Sequence, residues 1–244
     1  GMKMSKSKGN AIDPLPVIEK LGADTFRFWS ASEINHGYDF RCNEQKIEST
    51  RKFLSKLWNV SRFLSSFPVI KSGTLNASDK WILSELDNLI KECKKGYDDY
   101  NFFIPAIAIR EFTWNIFAAH YIEMAKARAY GIEFSDEERD GAIFTLHKTL
   151  STILKLLAPI TPFITEYLWK ILYSDESIHK QKQVESENTE DQSDITKEIT
   201  EFNSKVWNEK KSQNLSLKDS IKIEIPENLK PFIKDLKSMH NLLD

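Results

Sequence analysis

Glycine and cysteine are scarce, with 8 and 2 residues respectively in 244. Few glycines disfavour an architecture of tight turns and hairpins and favour helices. Cys42 and Cys93 have neither the spacing of a metal site nor that of a disulfide framework, which fits a reducing, cytoplasmic setting. His36, His120, His147, His179 and His240 are scattered, so no bound metal is expected. Long apolar runs are missing too. The longest, residues 153–164, is short and holds Pro159 and Pro162, so no segment reads as a membrane span. An excess of either charge is also absent: 34 Lys+Arg stand against 36 Asp+Glu, a net of −2. Any nucleic-acid site must therefore be a local patch. What is present is 41% hydrophobic and 29% charged residues, enough for a packed core in one large or two modest domains.

Helix signals follow one another along the chain. Asp13 as N-cap with Pro14 behind it starts a short helix that Gly22 stops. Asp24 is expected to cap a second, over "ADTFRFWSASEI". A long amphipathic helix follows from Asn43 to Phe67, with Ile47, Leu54, Leu57, Ser61 and Leu64 on one face. Ser78 or Asp79 is expected to cap the next. "NFFIPAIAIREFTWNIFAAHYIEMAKAR" reads as a very apolar helix. Ser135 with Glu138 forms a capping box, and Thr161 with Pro162 opens another helix. Trp58, Trp81, Trp114 and Trp169 sit at helical apolar positions and read as core. His120 and His147 read as core or boundary residues. From residue 181 the composition turns polar and acidic, which predicts an exposed linker. Beyond it come a helix near 195–212, an alternating strand-like "LKDSIKIEIP" and a last helix. Lys205, Lys210, Lys211 and Lys218 form a run that reads equally as an RNA contact or a solvated face.

Two stretches carry candidate chemistry. On the 43–67 helix, Lys52, Lys56, Asn59 and Phe63 fall within about 60° of arc, opposite the apolar stripe, and Arg51 and Arg62 flank them. Cations to hold phosphates, an aromatic to stack a base and an amide to read its edge suit unpaired RNA. Residues 1–66 carry 11 Lys+Arg against 7 Asp+Glu, so the local charge is positive. The residues alone equally allow a solvated face with Phe63 packed under a neighbour. The other stretch is "GMKMSKSKGN". Its lysines and serines could wrap a polyphosphate, with ammonium groups neutralising charge as pyrophosphate leaves. On charge alone it reads as a solvated basic segment.

The exact string adds to that. "KMSKSKGN" followed by "DPLPVIEKLGADTFRFW" resembles the KMSKS signature of the class I aminoacyl-tRNA synthetases and the segment after it. "RFW" and "RKFLSKLWNVSRF" are most similar to the valyl branch of that family and separate it from the isoleucyl and leucyl branches; "APITPFITEYLW" and "KSQNLSLKDSIKIEI" resemble segments that all three branches share. The resemblance implies a mainly α fold, an anticodon-binding helical bundle of the class I synthetases with a small α/β C-terminal appendage. It divides the chain into a KMSKS loop and stem-contact remnant of the catalytic domain (1–42), the bundle (43–180), a polar linker (181–194) and the appendage (195–244). It implies the C-terminal portion of an enzyme that activates valine with ATP and Mg2+ and loads it onto tRNA(Val), a cytoplasmic monomer. The portion alone would be inactive. Lys3, Met4, Ser5, Lys6 and Ser7 would hold ATP, with Lys3 and Lys6 catalytic; Arg51, Lys52, Lys56, Asn59, Arg62 and Phe63 would bind tRNA. The same region of an isoleucyl or leucyl enzyme, or a stand-alone RNA-binding helical module, is the alternative.

Overall fold

The structure is a computed structural model and describes residues 4–9, 13–35, 37–38 and 42–243. Helices dominate it. In α1 (Pro14–Leu21) the Asp13 carboxylate accepts the Leu15 N–H, and Gly22 ends the helix at φ 89°, a conformation that L side chains rarely adopt. α2 is Ala23–Glu33 and α3 is Glu44–Leu64. α4 (Ala77–Asp98) leads to a long rod made of α5 (Phe103–Glu111), a π-helical stretch (Phe112–Tyr121) and α6 (Ile122–Ala129). α7 (Asp136–Leu157) and α8 (Pro162–Leu172) complete the bundle. α9 (Thr196–Ser212), a 3-10 segment (Glu227–Phe232) and α10 (Ile233–His240) follow.

The apolar stripe of α3 is buried as its spacing requires, but it serves two clusters. Leu54, Leu57 and Leu64 join the main core with Trp81, Phe117, Leu150 and Leu157. Ile47 instead packs with Val17, Leu21 and Trp29 of the first two helices. Shared burial along one rigid helix ties residues 14–33 to the bundle.

Several caps differ from expectation, because the donors they satisfy lie elsewhere in the fold. Asp24 does not cap its own helix. Its carboxylate reaches across to the start of α8, accepting the Ile164 N–H at 2.6 Å and the Phe163 N–H at 3.4 Å. Thr161, the expected cap there, makes no capping bond and turns its hydroxyl back to the Leu157 carbonyl. Arg27, one turn after Asp24, donates to the Ile160 and Pro159 carbonyls at 2.8 and 2.9 Å. The pair thus clamps both orphan amides and free carbonyls of the α7–α8 turn. Asp24→Ala is expected to lower stability by about 1–2 kcal/mol, the cost of a lost cap, readable as a shifted urea midpoint; an unchanged midpoint would refute the clamp. At α4 the N-cap is Asn76, not Ser78 or Asp79, and Asp79 at the third helical position accepts the Asn76 N–H at 2.8 Å. The Ser135–Glu138 capping box is present as expected.

The bundle is helical as predicted, but the appendage has no strand among the described residues. Only an isolated parallel bridge joins Ile221 to Leu242. Ile221 is buried and Ile223 and Ile225 pack against the core, so the alternation records burial. Without a partner strand, extended backbone gains no ladder. The polar stretch from residue 181 is mostly exposed, and side chains of the bundle hold it in place. Asp87 on α4 accepts the Ser186 hydroxyl and the Glu187 N–H, Ser84 accepts the Gln192 N–H, and Lys148 pairs with Glu187. It forms a strap along α4.

A buried charge cluster fastens α10 to the bundle. Arg128 of α6 is fully buried and pairs with Asp79 at 2.6 Å and Asp235 at 2.9 Å. Ser78 donates to Asp235, and the Tyr121 hydroxyl donates to Asp79 at 2.6 Å.

Candidate nucleic-acid interface

The outer face of α3 carries the residues singled out by spacing. Arg51, Lys52, Asn59 and Arg62 are exposed; Lys56 and Phe63 are half-buried. Among the described residues, none of Arg51, Lys52, Lys56 and Arg62 takes part in an ion pair. Cations without carboxylate partners concentrate positive potential on one helix face. Such a face can attract a phosphate backbone without first breaking salt bridges.

The other wall of this site is the long rod, which spacing did not reveal. Lys56 Nζ lies 5.8 Å from the centroid of the Trp114 ring. A cleft lined by Glu48, Arg51, Lys52, Lys56, Asn59 and Trp114 runs between the two elements, with a volume of about 490 Å³. Trp114 is 38% exposed, which corrects its reading as core. It sits in the π-helical stretch, whose wider i→i+5 bonding rotates side chains off the 3.6-residue period. Trp58 is also corrected: it is 41% exposed and stacks on Tyr167 at 5.6 Å. It borders the apolar stripe closely enough to look like part of it. Trp81 and Trp169 are buried as expected.

Phe63 does not stand free. Its ring meets Phe67 edge-on at 5.3 Å and Tyr130 at 6.3 Å, and Lys126 Nζ lies 5.6 Å from its centroid. It is both part of the core margin and an element of the surface. Tyr130, 55% exposed, and Lys126 were not visible as neighbours from the sequence, because contact between α3 and α6 is a tertiary fact.

At the other candidate site, Met4–Gly9 hold an exposed turn. Residues Lys6–Lys8 form one 3-10 turn, and the Lys8 N–H donates to the Ser5 carbonyl at 3.2 Å. The Ser5 and Ser7 hydroxyls lie 3.2 Å apart. Two adjacent hydroxyls on a basic turn fit the donor set a triphosphate needs. Lys3 and the Lys6 side chain lie outside the described residues. Of the later lysine run, Lys210 is not at the surface at all. It is fully buried and donates to the Leu217 and His240 carbonyls at 2.8 and 2.7 Å, so it holds the appendage together and presents no charge to solvent.

Two family descriptions match the chain. Residues 79–225 match the anticodon-binding domain of tRNA ligase, and residues 1–42 match the class I tRNA synthetases for isoleucine, leucine, methionine and valine. α3 lies between the two matched segments. Curated relatives extend across it. A valine–tRNA ligase from Aeropyrum pernix is 37% identical over 98% of this chain and 30% of its own length. One from Pyrobaculum aerophilum is 39% identical over 100% of this chain and 31% of its own. One from Nanoarchaeum equitans is 36% identical over 99% and 31%. The chain therefore spans about a third of the length of these relatives. Among solved structures, a ternary LeuRS–tRNA–LeuAMS complex from Agrobacterium radiobacter K84 is similar in fold. Its TM-score is 0.61 at 22% identity, over 77% of this chain and 22% of that one. No helix among the described residues is long and apolar enough to cross a membrane.

Proposed function

This chain belongs to the anticodon-binding-domain family of tRNA ligases, and from that premise we propose that it is the tRNA-recognising part of a valine–tRNA ligase. The whole enzyme would activate valine with ATP and Mg2+ and load it onto tRNA(Val), working in the cytoplasm as a monomer. Residues 1–42 would belong to the catalytic side, 43–180 to the anticodon-binding bundle, and 195–244 to an appendage joined by the strap at 181–194. The unpaired cations of the α3 face carry this reading. Arg51, Lys52, Lys56 and Arg62 would hold anticodon-loop phosphates, Asn59 would meet a base edge, and the half-exposed Phe63 ring would stack an unpaired base. Phosphate contacts set register and orientation, whereas edge and stacking contacts discriminate.

The turn at Met4–Ser7 would act at a separate step. Lys3, Ser5, Lys6 and Ser7 would surround the triphosphate, Met4 would shape the turn, and the lysine ammonium groups would stabilise charge on departing pyrophosphate. Because that charge peaks in the transition state, these groups govern turnover more than substrate affinity. The valine assignment draws on the three curated relatives, whose similarity to this chain is nearly end to end.

Fluorescence titration of the chain against an anticodon stem-loop RNA at two salt concentrations tests the interface. Lys56→Ala is expected to weaken binding and to lower the salt slope by about one phosphate's worth. Phe63→Leu, which keeps an apolar group against Phe67 and Tyr130, should weaken binding by about 1–3 kcal/mol with no change in salt slope. RNA affinity that ignores Lys56 and Arg62 substitutions would overturn the reading.

A further inference from the structure

Trp114 faces a second cleft besides the one it shares with Lys56. This cleft is bounded by Thr50, Phe53 and Lys52 of α3 and by Arg110, Glu111 and Asn115 of the rod; its volume is about 300 Å³, and Lys56 is not among its walls. The size is at the lower end of ligand pockets, suited to one flat ring system. The polar groups there are already organised. Glu111 accepts from the Asn115 amide nitrogen and, at 3.3 Å, from Arg110 Nε and Nη2. Its carboxylate is thus held in place with lone pairs left to accept further donors. All this sits where the rod passes from α-helix into π-helix at Phe112. A π stretch is uncommon and is frequently retained at functional sites. Here it puts Trp114 and Asn115 on the α3 side.

We infer that this second cleft receives an unpaired nucleobase bearing an exocyclic amino group, stacked on Trp114 and read by Glu111. The inference rests on the RNA-binding reading of the α3 face and extends it to a base-selective position. Lys56 covers the Trp114 ring from the neighbouring cleft, so base, indole and ammonium form a layered stack in which the cation strengthens the aromatic contact. The amino group of cytosine or adenine donates to the Glu111 carboxylate. Uracil presents a carbonyl oxygen at the equivalent place, and two acceptors repel. Lys52 borders both clefts and can hold the phosphate between a base here and the next one along α3.

Fluorescence anisotropy of labelled hexacytidylate, hexaadenylate and hexauridylate against the full chain tests this. Cytidylate and adenylate should bind more tightly than uridylate. Trp114→Ala should weaken cytidylate binding about 5- to 100-fold with an unchanged salt slope. Trp114→Phe should restore most of it. Glu111→Gln should narrow the gap between cytidylate and uridylate, since an amide both donates and accepts. If Trp114→Ala disturbs the fold by circular dichroism, Trp114→Met keeps packing volume without a π face and should show the same loss. Unchanged affinity in Trp114→Met, with Lys56→Ala still weakening binding, would overturn the inference and leave the α3 reading intact. A Trp114 effect without any Lys56 or Arg62 effect would instead overturn the α3 reading. Equal affinity for all three oligomers would refute selection by Glu111.

Discussion

Arg128→Leu is expected to cost about 3–5 kcal/mol of folding stability, because it strands two buried carboxylates. Arg128, Asp79 and Asp235 are all buried to within a few per cent. Burial alone would disfavour the guanidinium's charge, but the hydrogen bond and charge of Asp79 hold its pKa above the ordinary value. Asp235 behaves in the opposite sense: burial raises its pKa, and Arg128 only partly offsets that. Removing the cation leaves Asp79 with the Tyr121 and Asn76 donors and Asp235 with Ser78 alone. For a chain of this length the loss corresponds to a Tm lower by on the order of 10 °C. Urea denaturation followed by circular dichroism measures it. A triple variant, Arg128→Met with Asp79→Asn and Asp235→Asn, should recover a good part of the loss, since matched removal of a buried network is far cheaper than breaking it. A single-variant cost below about 1 kcal/mol would show that water reaches the cluster. The effect extends to the interface, because α6 carries Lys126, which lies over Phe63. Loosening α6 should therefore weaken RNA binding even though Arg128 touches no RNA.

That cluster was not legible in the sequence, and the reason is physical. Asp79 sits at a helix N-terminus and Arg128 near a helix C-terminus, positions where exposed charges are ordinary. Nothing local marks them as partners 49 residues apart. Asp24 and Arg27 illustrate the same limit. Both lie within the string that carries the family resemblance, yet their task is to clamp the α7–α8 turn more than 130 residues away. Periodic features were legible. The α3 stripe, the Ser135 capping box and the opposite basic face all follow from local geometry with a 3.6-residue period. Trp114 was not, because the π stretch breaks that period. Lys210 read as surface charge, yet it is an internal strut whose carbonyl acceptors belong to loops and helix ends that only the fold brings together. On the α3 face, spacing found the cations correctly but could not supply the opposing wall.

Acid should destabilise the appendage, and His240 should account for much of the effect. His240 is 1% exposed. Its Nε2 donates to Asn203 Oδ1 at 2.8 Å, and the Asn203 amide nitrogen donates to His120 Nδ1 at 2.9 Å. His120 must keep Nδ1 unprotonated to accept, whereas His240 donates from Nε2 in either state, so what disfavours a charged His240 is its surroundings. Trp207 packs against both rings, at 5.4 and 5.9 Å, and the Lys210 ammonium is bonded to the His240 carbonyl. Burial, then Lys210 and His120, push the His240 pKa down to about 4 from 6.5. The sign follows from proton counting. Between those two values the unfolded chain binds a proton that the folded chain refuses, so the stabilising contribution is complete above about pH 6.5 and is lost as pH falls towards 4. The loss from this site is at most about 3 kcal/mol. His120 and His147, lowered by burial, act in the same direction. Asp235, raised by burial, acts in the opposite direction towards the acid end of the range. Urea denaturation at about pH 7 and about pH 5 should show a clear fall in stability. His240→Gln can still donate to Asn203 but does not titrate. It should be somewhat less stable at the higher pH and distinctly flatter between the two. A pH dependence as steep in His240→Gln as in the parent chain would mean that the titrating group is elsewhere. It would also mean that the imidazole pair bridged by Asn203 opens to solvent before it protonates.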